Sequence, residues 1–118
     1  MPRFLTMIRL EENTVNAEDR DEGFDERMGA LYEEITKAGV MLDTGGLLPT
    51  AEGTRLTWSG GKIDYTDGPF TETKEVIAGY SISQCKDKAE ALEWTRRFLE
   101  VHPAGWTITA EVREIEEG

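Results

Sequence analysis

Residues 3–10 predict a β-strand, because alternate positions divide their side chains between two faces that both carry apolar residues. Both faces of this strand are partly apolar, although a strand with one face in water needs only one apolar face. We therefore expect it to be covered on both sides. One face would carry Phe4, Thr6, Ile8 and Leu10, and the other Leu5 and Met7.

Two later segments have the apolar spacing of amphipathic helices. Apolar side chains separated by four, three, four and three residues predict a helix over 24–38, and Gly39 is placed to end it. Asp87 and Glu90 have the spacing of a capping box, which predicts a second helix over 87–101. The first stripe is Phe24, Met28, Leu31, Ile35 and Ala38. The second helix would bury Ala91, Leu92, Thr95, Phe98 and Leu99.

The remaining segments alternate like strands. A strand begins at Val40 and ends at the Gly45-Gly46 pair, and a hairpin over 54–58 and 62–66 turns at Ser59-Gly60-Gly61. A strand over 76–83 places Tyr80 on an apolar face, where we expect it in the core. The last strand would present Trp106, Ile108, Ala110 and Val112 on its apolar face.

The resulting order is β–α–β–hairpin–β–α–β in one domain of 118 residues. It predicts an α+β fold, a ferredoxin-like antiparallel sheet with two helices on one face. The apolar residues Leu5, Met7 and Ile77 would lie on the face without helices. We expect a second copy of the chain to cover that face, giving a homodimer.

The charge is strongly acidic and concentrated in one segment. The chain has 24 acidic and 13 basic residues for a net charge of −11, and residues 11–34 hold ten acids and two bases. Such a surface repels nucleic acid and anionic membranes, so neither is expected as a partner. The segment is interpreted as a solvated loop and helix face, or as a docking patch for a basic partner.

The residue inventory excludes several kinds of site within one chain. Cys85 and His102 are each the only residue of their type, so an intramolecular disulfide, a thiolate metal cluster and a multi-histidine metal site are excluded. His102 stands before Pro103 at the expected end of a helix, so no His–Cys or Ser–His–Asp site is expected. We expect no metal and no cofactor. No apolar stretch approaches the ~20 residues of a membrane helix, so a cytoplasmic location is expected.

Charged residues cluster densely from Asp67 to Glu75. The side chains of Asp67, Glu72, Lys74 and Glu75 could perform acid–base chemistry if they converge in a dry pocket. The alternative interpretation is a turn at Asp67-Gly68-Pro69 that leads into a solvated strand entrance.

Thr44, Gly45 and Gly46 form a second candidate site. Paired glycines let backbone amides approach an anionic ligand, although they serve equally in a plain turn or bulge. The three tryptophans, Trp58, Trp94 and Trp106, are expected to be core or interface rings because no basic stripe accompanies them.

The central motif resembles a known family. Asp67-Gly68-Pro69-Phe70, followed by Glu72, Lys74-Glu75 and Gly79-Tyr80, is similar to the signature of the DGPF subgroup of YCII-related proteins. The resemblance extends to residues 38–40, 45–49 and 90–94. It implies a fold that dimerises as an α+β barrel.

The resemblance also implies two kinds of function. Wider YCII-like proteins resemble muconolactone-isomerase-type enzymes, some with a His–Asp pair; Asp67 matches the aspartate by motif, and no residue matches the histidine. DGPF proteins are often encoded beside, or fused to, extracytoplasmic-function sigma factors. This association implies an accessory or ligand-sensing role.

Two functional hypotheses follow. In the first, a small polar metabolite binds between residues 44–47 and 67–75, and any turnover is cofactor-free proton transfer of the isomerase or lactone type. Asp67 would position or deprotonate the ligand, Lys74 would neutralise an anionic group, and Glu72 or Glu75 would orient Lys74. In the second, the protein is a regulatory module, and residues 11–34 dock on a sigma factor. The residues leave open whether the protein is an enzyme.

Overall fold

The chain folds as an α+β protein whose elements follow the predicted order. The computed structural model describes residues 1–14, 17–70 and 75–117. The elements are β1 (Arg3–Leu10), α1 (Phe24–Ala38), β2 (Met41–Gly46), β3 (Thr54–Ser59), β4 (Lys62–Asp67), β5 (Val76–Gln84), α2 (Lys88–Glu100) and β6 (Thr109–Glu114), with short 3-10 turns at Ala17–Asp19 and Thr50–Glu52.

Four strands form one antiparallel sheet in the order β2-β5-β1-β6. On the central strand β1, Thr6 lies opposite Ser81 of β5 and Val112 of β6. Strands β3 and β4 form a separate two-stranded sheet. The predicted hairpin is therefore confirmed, and it lies outside the main sheet.

Both helices pack on the same face of the four-stranded sheet. That face carries the buried side chains of Phe4 and Thr6, and the hydrophobic core draws on both helices. The core cluster consists of Phe4, Leu31, Ile35, Val40, Cys85 and Ala91. The molecule measures 47 × 42 × 18 Å, and its thin dimension agrees with one sheet covered by one layer of helices.

The helix ends have the predicted caps. Gly39 adopts a left-handed conformation (φ 67°), and its amide donates to the carbonyls of Ile35 and Thr36. At the start of α2, an Asp87 carboxylate oxygen accepts a hydrogen bond from the Glu90 amide at 2.9 Å. The Glu90 carboxylate accepts from the Lys86 amide rather than from the amide of the cap residue.

The buried face of α2 differs from the prediction at Leu92. This side chain is exposed, whereas Trp94 and Phe98 pack against the core beside Ala91. Positions 91, 94 and 98 follow the three- and four-residue spacing of one helix face, and Leu92 is rotated about 100° from Ala91.

The last strand begins later than expected, at Thr109. Trp106 and Ile108 precede it, because the Trp106 amide donates to the Pro103 carbonyl in a turn. The Trp106 ring is half-buried and packs against Phe24 and His102 instead of facing a neighbouring strand.

Tyr80 is not a core residue. It lies opposite Met7 in the sheet and therefore shares the face of Met7, which is the face away from the helices. The predicted period of two holds from Gly79 to Gln84, where β5 places Ser81 and Ser83 toward the helices, and an irregularity in the pairing with β1 interrupts it between Ile77 and Gly79. The face without helices, called the open face below, carries the half-buried Leu5, Met7, Tyr80 and Ile82.

Neither helix in the described part of the chain is long and apolar enough to cross a membrane.

Candidate functional site

An open cleft lies where β1 and β2 end and β5 begins. Its volume is about 810 Å³. Three chain segments that are distant in sequence form its walls: the loop after β1, the segment between β2 and β3, and the turn after β4 with the start of β5. The lining residues are Glu11, Glu12, Asn13, Thr14, Leu47, Leu48, Pro49, Ala51, Pro69, Phe70, Val76, Ile77 and Ala78.

A hydrogen-bonded relay joins these three segments. The Thr50 amide donates to one carboxylate oxygen of Glu12 at 2.5 Å, and the Thr50 hydroxyl donates to the other at 2.6 Å. The same hydroxyl oxygen accepts from the Phe70 amide at 3.3 Å. The relay therefore holds the two sides of the cleft against the turn after β4.

The relay fixes the charge state of Glu12. The two hydrogen bonds from Thr50 hold the pKa of the Glu12 carboxyl below its usual value. The carboxylate stays ionised and both of its oxygens are engaged. Glu12 therefore supplies a fixed negative charge at the cleft and is a poor candidate for a general acid.

The turn from Asp67 to Phe70 packs tightly against the segment between β2 and β3. A Cβ atom at Gly68 would stand 1.6 Å from the Thr50 carbonyl oxygen, so only glycine fits there. The Gly68 amide donates to the Gly53 carbonyl at 2.9 Å, and the Gly68–Pro69 peptide bond is cis.

Side chains on both sides of this turn continue the packing. The Thr54 hydroxyl donates to a carboxylate oxygen of Asp67 at 2.9 Å, which closes the open end of the hairpin. The Arg55 guanidinium lies 3.9 Å from the centroid of the Phe70 ring, within range of a cation–π interaction. The motif is thus a structural junction between the hairpin and the cleft.

The structure separates the predicted site residues. Asp67 is exposed at the end of β4, with one carboxylate oxygen bonded to Thr54, and Glu75 is half-buried beside the start of β5. Glu72 and Lys74 lie outside the described residues. Gly46 precedes Leu47, whose amide donates to the Ala78 carbonyl at the cleft.

Thr44 and Gly45 do not line the cleft. The Thr44 hydroxyl donates to the Tyr80 carbonyl at 3.0 Å, and its side chain borders a second cavity of about 60 Å³ between the sheet and the helices. Gly45 lies under the Tyr80 ring, where a Cβ atom would be 3.0 Å from the nearest ring atom.

The second cavity is mainly apolar. Met28, Leu31, Trp94 and Phe98 contribute to its walls, and the hydroxyl-bearing Thr6 lies on its sheet side. It is far smaller than the cleft and is continuous with the hydrophobic core. We assign it to core packing.

Tyr80 and Asp43 form a polar pair on the open face. The Tyr80 hydroxyl donates to a carboxylate oxygen of Asp43 at 3.2 Å. The negative charge of Asp43 raises the pKa of Tyr80 above its usual value, so the phenol stays protonated. This pair can donate and accept hydrogen bonds at the surface where a second copy is expected.

His102 lies among aromatic rings just beyond α2. Its ring meets Phe98 and Phe24 edge-on, with centroids 4.8 and 5.4 Å away. Nδ1 donates to the Phe98 carbonyl at 2.9 Å, and burial lowers the pKa of His102. The side chain acts as a packed aromatic residue and not as a base in the cleft.

Sequence reasoning missed Glu12 and Thr50, which organise the cleft. Neither belongs to a recognisable motif; the available signals were an acidic residue directly after a strand and a threonine directly after Pro49.

Among the described residues, no group of three or more His, Cys, Asp or Glu side chains could hold a metal ion. The cleft offers apolar walls, carboxylates and hydrogen-bonding groups.

Comparisons with known proteins agree with the resemblance seen in the sequence. The model of the YCII-related domain family matches residues 3–116. An uncharacterized protein of Rhizobium meliloti (strain 1021) is 31% identical over 99 residues, which cover 84% of this chain and 78% of the relative. The chain therefore belongs to the YCII-related domain family.

Proposed function

We propose that the protein binds a small metabolite in the open cleft. One observation carries the proposal: the two segments put forward from the sequence, residues 44–47 and 67–75, both reach this cleft, through Leu47 and through Pro69 and Phe70. A cleft of about 810 Å³ is within the usual size of small-molecule sites.

The lining chemistry favours an amphipathic ligand. Leu47, Leu48, Pro69 and Phe70 provide apolar surface, and the loop after β1 contributes Glu11 and Glu12 at one side. A ligand with an apolar body and a hydrogen-bond-donating group fits this arrangement.

Any turnover at this site is cofactor-free proton transfer of the isomerase or lactone type. Asp67 positions or deprotonates the ligand through its exposed carboxylate, of which one oxygen accepts a hydrogen bond from Thr54. Lys74 neutralises an anionic group of the ligand, and Glu72 or Glu75 orients Lys74. The Gly45-Gly46 pair, with Thr44, shapes the adjoining strand end.

The protein works as a cytoplasmic homodimer of the DGPF type in this proposal. Two ferredoxin-like sheets face each other through their open faces and form an α+β barrel. The half-buried apolar side chains of the open face support this arrangement, because a covered face favours them.

Obstruction of the cleft tests the proposal. Ala51 is exposed on the cleft wall, and Ala51→Phe should abolish the thermal shifts that a panel of small carboxylic acids, lactones and amino acids causes in the wild type. Ala30→Phe, at an exposed position of α1, is the matched control and should retain them.

Two further variants test the proposed roles. Asp67→Asn and Lys74→Ala should each weaken the response to the compounds that bind the wild type, because each removes a proposed ligand contact. Identical responses from these variants, Ala51→Phe and the wild type would refute the cleft as the site.

A second candidate function is a regulatory module that docks on a sigma factor. Four exposed carboxylates, those of Asp19, Glu22, Asp25 and Glu26, lie within eight residues at the start of α1. Within the same stretch, Asp21 forms an ion pair with Arg27, and its charge is partly neutralised.

Charge neutralisation tests this second function. A pull-down of a candidate sigma factor should weaken steeply with salt and should be lost when the four exposed carboxylates become amides. Capture that is unchanged by the fourfold amide variant would exclude the acidic segment as the docking surface.

A further inference from the structure

The hairpin of β3 and β4 has one apolar face that the described part of the chain leaves exposed. Leu56 lies opposite Tyr65, and Trp58 lies opposite Ile63, so these four side chains share a face. Their exposed fractions are 58, 72, 72 and 52% for Leu56, Tyr65, Trp58 and Ile63. We call this surface the hairpin apolar face.

The opposite face of the same hairpin is polar. It carries Arg55, Thr57, Ser59, Lys62, Asp64 and Thr66. A strict alternation of apolar and polar residues is the pattern of a hairpin with one face covered and one face in water. The sequence is therefore typical of a hairpin whose apolar face is covered.

The exposed hairpin needs support to remain ordered. An isolated two-stranded hairpin is only marginally stable in water. Here all twelve strand residues are exposed, yet six residue pairs stay in register, and the turn uses Gly60 and Gly61 at positive φ. A partner that is present wherever the chain is present would supply that support.

We propose that the hairpin apolar face packs against a second copy of this chain. The homodimer proposed above thereby gains a second contact region, and this assignment holds whether or not the cleft binds a ligand. Each hairpin covers part of the other copy, as twofold symmetry requires.

The exposed area supports a role in dimerisation. The four side chains present on the order of 450 Å² of apolar surface, more than half of the roughly 800 Å² that each partner buries in a stable complex. Trp58 and Tyr65 are the residue types that anchor interfaces.

The charge distribution favours a second copy as the occupant. Two chains of net charge −11 repel each other, and they approach most easily at neutral surfaces. Residues 54–67 contain two basic and two acidic residues, so the hairpin is neutral within an acidic chain.

Sedimentation velocity on the full chain tests the proposal. The wild type should sediment as a dimer of the 13.3 kDa chain at micromolar concentration. Trp58→Lys should raise the dimer dissociation constant at least tenfold, because it places a charge in the interface. Thr57→Lys, which adds the same charge to the polar face, is the matched control and should dimerise like the wild type.

A variant of the open face separates this proposal from the barrel. Met7→Lys disrupts contacts through the open face and leaves the hairpin intact. Dissociation by Met7→Lys with no change in Trp58→Lys would support the barrel and overturn the hairpin contact. Dissociation by Trp58→Lys alone would establish the hairpin contact without the barrel. Far-UV circular dichroism checks that each variant is folded.

Two other outcomes would overturn the proposal. The first is equal dissociation in Trp58→Lys and Thr57→Lys. The second is a monomeric wild type; if that monomer binds phosphatidylcholine vesicles through Trp58, a lipid surface is the occupant of the hairpin apolar face.

Discussion

At the residue scale, Gly68 shows how a backbone contact can determine a motif. The backbone passes so close to the Thr50 carbonyl oxygen that a Cβ atom would overlap it at 1.6 Å. The neighbouring Asp67 and Phe70 bond to residues of the same junction. The motif is thus explained by packing, independently of any chemistry.

Gly68→Ala should destabilise the protein by more than about 2 kcal/mol, because the turn must shift to admit the methyl group. Urea denaturation measures the loss. Gly29→Ala is the contrasting control: Gly29 lies inside α1 with open space around it, so alanine should stabilise by about 0.5–1 kcal/mol. A Gly68→Ala variant as stable as the wild type would contradict the close contact.

Glu12 should make stability depend on pH. Its folded pKa is below its ordinary value of 4.5, so its contribution is present above pH 4.5 and is lost as the pH falls through the folded pKa. Glu12→Gln should cost about 1 kcal/mol at pH 7 through the weakened bonds to Thr50. The difference between wild type and variant should shrink below pH 4.5.

Urea denaturation of both proteins between pH 3 and 7 measures this difference. Glu11→Gln is the matched control, because it removes the same charge one residue away and keeps both hydrogen bonds between Thr50 and the Glu12 carboxylate. A constant difference between wild type and Glu12→Gln across the whole range would contradict the role assigned to the Glu12 carboxylate.

At the element scale, local signals predicted the helices well. The Phe24, Leu31 and Ile35 stripe is buried, Gly39 ends α1, and Asp87 caps α2. These features depend on residues three or four positions apart, which the sequence displays directly.

Asp87→Ala should destabilise the protein by about 1 kcal/mol, because the Glu90 amide loses its acceptor. Asp87→Asn keeps an acceptor oxygen and should retain most of the stability. Thermal unfolding followed by circular dichroism measures both. Equal losses in the two variants would show that the charge, and not the hydrogen bond, stabilises the helix start.

Contacts between distant segments were less predictable. Trp106 was expected in a strand, but a turn at Pro103 places its ring against His102 and Phe24. Tyr80 was expected in the core because alternation alone does not say which face meets the helices. Only the pairing of Tyr80 with Met7 resolves that choice.

At the scale of the whole molecule, the order of helices and strands was enough to predict the α+β class and the antiparallel sheet. The cleft could not be predicted in detail, because Glu12, Thr50 and Phe70 meet through hydrogen bonds between segments that are 20 and 38 residues apart. Leu47 and Phe70, which belong to the two segments put forward from the sequence, both line the cleft.

The net charge of −11 leads to opposite salt effects for the two kinds of association. Self-association should tighten when sodium chloride rises from 50 to 500 mM, because salt screens the repulsion between identical acidic chains. Binding to a basic partner should weaken over the same range. Sedimentation at several salt concentrations measures the first effect, and a dimer that loosens with salt would contradict it.

The aromatic surroundings of His102 give the protein a built-in spectroscopic reporter. As the only histidine, it yields a single set of imidazole proton resonances, and three rings lie within 6 Å of its centroid. Ring currents from those neighbours displace its resonances from their random-coil positions for as long as α1, α2 and the segment before β6 stay together. One proton NMR spectrum of the unlabelled protein therefore reports whether these three segments are packed together.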